Sequence, residues 1–104
     1  MAQQNQDNVH VIISFEIKED KRKLFEELVP SFIEGVNIEN GCISYNIHQN
    51  KTEKTKYVII GEWASQTHLN EHEKLQRLIE IQKLDLFVND PEINVYTAPI
   101  VQLQ

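Results

Sequence analysis

The pentapeptide His68-Leu69-Asn70-Glu71-His72 carries the residue types of a metal site. On a helix, positions four apart share a face, so His68 and His72 could hold one zinc ion while Glu71 positions a water, and H-x-x-E-H is a metallopeptidase pattern. A working site needs a third protein ligand. His10, His48, Glu80 and Glu92 qualify only by residue type, and no second ligand-rich cluster brings one of them to the helix. A chain of 104 residues also has little room for a peptidase cleft, so no metal is expected and His68 is read as exposed. Cys42, which follows Glu39-Asn40-Gly41, reads as a small buried residue rather than a reactive thiol. Ser14 lacks the strained elbow of a nucleophilic serine, and Gly35, Gly41 and Gly61 are too isolated to cradle a phosphate, so no nucleotide cofactor is expected.

A different constellation remains: Trp63, and His72 nine residues later. An imidazole titrates near neutral pH, which suits His72 to the role of general base; its plainer reading is a helix histidine bonded to the sheet or to solvent. Trp63 could wall a pocket, and Tyr45 and Tyr57 could line or close it, although aromatic residues at such positions also serve simply as core. Asn46 and His48, on the opposite face of their strand, could add polar contacts if that face lines the cavity.

The elements that must position these residues follow from periodicity. Val9, Val11, Ile13, Phe15 and Ile17 alternate with polar residues, the two-residue period of a strand with one buried face. Leu24, Phe25, Leu28, Val29, Phe32, Ile33 and Val36 then recur at helical spacing behind Glu19-Asp20, with Pro30 expected to bend the helix. A second strand places Ile43, Tyr45 and Ile47 on one face and Cys42, Ser44, Asn46 and His48 on the other; Gln49–Thr55 is polar enough for a hairpin into a third strand over Tyr57–Trp63. A second helix starts behind the capping hydroxyl of Ser65 and is expected to run through Leu75, Leu78, Ile79, Gln82 and Leu86, with Ile81, Leu84 and Val88 widening its apolar arc until Asp90-Pro91 stops it. Glu92–Val101 reads as a last strand. The order predicts an α+β fold of the ferredoxin-like βαββαβ type, a four-stranded antiparallel sheet with both helices on one face. It forms one domain over residues 9–104, after an extended or disordered segment 1–8, and the uncovered sheet face calls for a partner.

Composition narrows the function classes. The formal charge is −6 and the basic residues are scattered, so nothing builds a stripe for a phosphate backbone, and nucleic acid is not expected as a partner. The longest apolar runs are strand-sized, far below the ~20 residues of a membrane span, so no membrane is expected either. The first eight residues lack a secretory pattern and Cys42 is the single cysteine, which points to the cytoplasm.

The segment Glu62–His72, EWASQTHLNEH, resembles the antibiotic biosynthesis monooxygenase family of small dimeric α+β barrels, whose members show an acidic residue, a Trp, a short polar turn and a His at this spacing. The segment Ile38–Ile47, IENGCISYNI, is similar to the family's Glu-x-Gly-Cys-x-x-Tyr stretch after the first helix. With the element order, the resemblance covers Val9 to Thr97. It implies a homodimer that oxidises a small quinol-type or polyphenolic aromatic with molecular oxygen and without flavin, haem or metal, with His72 as base and Trp63, Tyr45, Tyr57, Asn46 and His48 around the substrate. The haem-degrading branch uses an Asn on the first strand, a Trp in the second helical region and a downstream His. Here Ile13 and Ser14, His72, and Gln82 stand at those places, which disfavours haem. Some relatives isomerise small phosphorylated signalling molecules, and a non-catalytic small-molecule-binding or stress-response barrel is the rival reading.

Overall fold

The computed structural model describes residues 7–101, apart from the side chains of residues 76 and 77. Residues 102–104 of the expected domain, and the expected extended or disordered state of residues 1–6, lie outside the described residues. Asn8 is buried and donates its side-chain amide to Glu62 at 2.9 Å.

Four strands, β1 (Val9–Glu16), β2 (Cys42–Gln49), β3 (Lys56–Trp63) and β4 (Glu92–Thr97), form one antiparallel sheet in the order β2-β3-β1-β4. A 3₁₀ turn (Glu19–Lys21) leads into α1 (Arg22–Asn37), and α2 (Gln66–Glu73) and α3 (Gln76–Gln82) follow β3. This is the ferredoxin-like α+β arrangement that the hydrophobic periods imply. The alternation of β1 decides which face is inside. Val11, Phe15, Ile59 and Trp63 are buried under the helices, while Ile12 and its cross-strand partner Ile60 point outward, 37% and 49% exposed. At one end of the inner face Phe15, Phe25, Tyr57 and Phe87 pack ring against ring.

Three local features depart from simple periodicity. A β-bulge between Cys42 and Ser44 inserts one residue, so the alternation of β2 shifts phase. Cys42 thereby pairs with Trp63 and packs against the core with Tyr45 and Ile47, while Ile43 is exposed. Second, α1 continues through Pro30, which sits on its exposed side. Third, the expected long second helix is two short ones. Leu75 adopts extended geometry between α2 and α3, and beyond Gln82 the chain turns at Asp85, whose φ is 54°. Pairing with β1 outweighs helix propensity there: Lys18 N–H donates to Leu86 O at 2.8 Å, Val88 N–H to Glu16 O at 2.9 Å, and Leu86 is 1% exposed. The Lys18 ammonium, 2.7 Å from Asp85, holds that carboxyl below the usual range.

Candidate functional site: a histidine–carboxylate pair in an apolar cavity

The site is assembled where the last residue of β3, the loop after α1 and helix α2 meet. Ser65 caps α2, its hydroxyl accepting from His68 N–H at 3.3 Å, and this fixes the helix start at Gln66, three residues past Trp63 at the end of the strand. Leu69 and His72, three apart, then fall on the buried face of α2. From the other side, α1 ends at Asn37, whose amide donates to Tyr45 O at 3.0 Å, and the chain turns through Glu39 to Gly41. Gly41 sits at φ 84°, and its carbonyl accepts from Ala64 N–H at 2.8 Å. A Cβ there would stand 2.2 Å from His68 Cγ, so only glycine lets the helix close on this loop.

The consequence is a contact between residues 39 and 72. His72 Nδ1 lies 2.8 Å from Glu39 Oε1, with the two side chains only 6% and 10% exposed. A carboxylate can only accept, so Nδ1 carries the proton and the neutral ring keeps its Nε2 lone pair for another proton. The imidazole packs against Trp63 (centroids 4.8 Å apart) and Tyr45 (5.7 Å), and Trp63 meets Tyr45 edge-on at 6.4 Å. Gly61 opposite Tyr45 makes room for that ring, because a Cβ would come within 3.0 Å of it. Burial, and then the Glu39 charge, push the Tyr45 phenol well above its ordinary range, so it stays protonated and able to donate; the same two causes raise the Cys42 thiol. Trp63 is fully buried, and its Nε1–H meets no acceptor among the described residues.

Tyr45, Trp63 and His72 line one end of a cavity of about 710 Å³ between the sheet and the helices. Most of its wall is apolar, from Val11, Ile13 and Ile59 on the sheet to Val29 and Phe32 on α1. Tyr57, Asn46 and His48 are placed elsewhere. Tyr57 is six residues from Trp63, roughly 20 Å along β3, and its hydroxyl donates to Glu26 at 2.7 Å. Asn46 and His48 pair with Ile60 and Val58 on the outer face, because their parity is opposite to that of Tyr45. The zinc reading dissolves for a geometric reason. Glu71 points to solvent beside Lys74, while His68, half-buried rather than exposed, lies on Gly41 with Nδ1 2.8 Å from Ser65 Oγ. Among the described residues no three His, Cys, Asp or Glu side chains converge on a point that could hold a metal ion. Among the same residues no helix is long and apolar enough to cross a membrane. Glu39 is the residue that single-residue reasoning misses; its signal is the Glu-x-Gly spacing that puts a carboxylate two residues before an obligatory glycine.

The model of the antibiotic biosynthesis monooxygenase family matches residues 8–84, most of the chain and all of the site. The chain belongs to this family. An uncharacterized protein of Synechocystis sp., sll1783, is 29% identical over 92 residues, which make up 86% of this chain; the chain spans about 63% of that protein's length. A conserved protein from Methanosarcina mazei Go1 superposes with a TM-score of 0.81 at 27% identity, over 89% of this chain and 94% of that one. A candidate antibiotic biosynthesis monooxygenase from Nitrosomonas europaea gives 0.83 at 16% identity, over 95% and 97%, and so shares the fold. The antibiotic biosynthesis monooxygenase match ends before β4, which pairs with β1 at the edge of the sheet.

Proposed function

We propose that this protein is a monooxygenase that oxidises a phenolic, quinol-type substrate with molecular oxygen, the substrate itself supplying the electrons, and that it works as a cytoplasmic homodimer. The observation that carries the reading is the buried pair of His72 and Glu39 at one end of a mostly apolar cavity. His72 Nε2 takes the proton of a substrate hydroxyl, and the Glu39 carboxylate stabilises the imidazolium that forms. The electron-rich anion reduces oxygen. One oxygen atom bonds to a ring carbon, the other leaves as water, and a quinol that gives up four electrons in all becomes a hydroxyquinone. In this reading Tyr45, held protonated, donates to the developing oxyanion, and a substrate oxygen reaching Trp63 Nε1 would satisfy that buried donor. The apolar wall keeps water from the reactive anion.

Family membership supports this chemistry over a non-catalytic barrel, and so does the buried His–carboxylate pair, which a purely structural site has no need of. Oxygen uptake with a panel of hydroquinones in chelator-treated buffer tests it. Turnover by the wild-type protein should fall by about 10²-fold or more in His72→Ala with the fold retained. Equal turnover in the variant would reduce His72 to a packing residue.

A further inference from the structure

We infer that the substrate of this site is a phenol bearing an uncharged hydrocarbon tail, and not a bare ring. The inference rests on the assignment of His72 as the end that meets the phenol. The polar groups Tyr45, Trp63 and His72 gather at one end of the cavity, but the cavity does not stop there. Its floor continues from Trp63 to Ile59 on β3 and from Val11 to Phe15 on β1, each step of four residues spanning roughly 13 Å of strand. Its roof follows α1 through Phe32, Val29 and Phe25, which stand on one face at helical spacing, and Phe87 lies at the far end.

Size separates a ring from a ring with a tail. An apolar cavity of about 150 Å³ is enough to hold a benzene molecule. The 710 Å³ here is several times that, and most of the excess lies along aliphatic and aromatic side chains, with Gln82 and Asn89 the uncharged polar exceptions. Charge excludes a tail that ends in an acid. The charged side chains among the described lining residues, His72 aside, are Glu73, Asp85 and Asp90; all are acidic, and Lys18 outside the lining offsets only Asp85. Among the described lining residues a carboxylate or phosphate on the tail would find like charge and no counter-ion. A fatty acid entering head first would set its carboxylate beside that of Glu39. The hydrocarbon chain of an alkylated phenol meets neither penalty.

Trp63 is the single tryptophan of the chain, so its fluorescence reports binding without turnover. Titrations under argon compare hydroquinone with its butyl and octyl derivatives, an octyl derivative ending in a carboxylate, and dodecanoate. Affinity should rise about threefold per methylene as the tail enters the cavity. The acid-ended tail should bind at least about tenfold more weakly than octyl, and dodecanoate more weakly still. Val29→Trp, or the milder Val29→Phe, fills the tail half and should flatten the chain-length dependence. Equal affinity across the wild-type series, or dodecanoate binding as tightly as octylhydroquinone, would overturn the inference. Oxygen uptake measured separately keeps the two readings apart: tail-dependent binding without oxidation sinks the oxygenase and leaves the tail, and oxidation with tail-independent affinity does the reverse.

Discussion

At the scale of single residues, the pairing of Glu39 with His72 matters most, because it turns an ordinary helix histidine into an oriented base. Glu39→Gln keeps an oxygen that can accept from Nδ1–H but removes the charge that steadies the imidazolium. We expect a loss of about tenfold in kcat with KM little changed, and a larger loss in Glu39→Ala, where the orientation goes too; steady-state oxygen uptake measures both. An undiminished kcat in both variants would leave His72 working without its carboxylate. Tyr57 makes a contrasting prediction. Burial, then its bond to Glu26, raises its phenol to about 12, so the folded state keeps the proton where the unfolded chain, near 10, gives it up. That contribution to stability is complete below pH ~10 and is lost as pH climbs toward 12. Tyr57→Phe should cost ~1 kcal/mol near neutral pH and make alkaline unfolding shallower across that window, as denaturant titrations at stepped pH would show. The convergence of His72, Trp63 and Tyr45 is legible because residue type and spacing suffice for groups on adjoining elements. Glu39 was not, since a carboxylate 33 positions away acquires meaning only when the loop folds back. Tyr57 stands apart from that group because six residues of strand separate it from Trp63, and Asn46 and His48 because their parity, already readable in the alternation, faces them outward.

At the scale of elements, two junctions hold the site, and both can be tested without any substrate. Gly41 occupies a left-handed conformation under the ring of His68, so Gly41→Ala meets both backbone strain and a clash. A loss of ~2–4 kcal/mol is expected in chemical denaturation, and adding His68→Ala should recover only the part of the clash made by the imidazole ring, because the residue-68 Cβ, 2.6 Å from the added methyl, stays in place. A change below ~0.5 kcal/mol would show that the loop can move aside and does not fix Glu39. Ser65→Ala, which removes the cap of α2, should cost ~1 kcal/mol. The strands and α1 were readable because one face of each is buried and period alone reveals it. The division of the second helix was not, because the apolar spacing from Leu75 to Val88 is compatible with one continuous helix. What breaks it is backbone pairing of residues 86–88 with the end of β1, a long-range contact that leaves no local pattern. The bulge at Ile43 escaped for a related reason: one inserted residue inverts the faces of everything before it while the alternation still looks regular.

At the scale of the whole molecule, the sheet has a second face that no helix covers. Ile12 and Ile60 stand opposite each other at its centre, with Val58 beside them and Tyr96 paired with His10, half exposed, on the neighbouring strand. Apolar surface removed from water contributes ~25 cal/mol per Å², so a standard interface of ~1,600 Å² outweighs the ~4–15 kcal/mol that association costs only when its centre is apolar and well fitted. The Ile12–Ile60 pair supplies such a centre, and the polar residues Asn46, His48 and Asn94 around it supply a rim. A two-fold axis through this face buries the same patch on both copies at once, which is the simplest way to close the assembly. Light scattering at micromolar concentration should therefore give about twice the 12.2 kDa chain mass. Placing like charges opposite each other, as in the double substitution Ile12→Lys with Ile60→Lys, should yield a folded monomer, because these side chains lie outside the core that supports β1 and β3. A wild-type protein that stays monomeric across that range would mean the sheet face tolerates water, and the homodimer would have to be abandoned. A double variant that remains dimeric would move the interface away from this face.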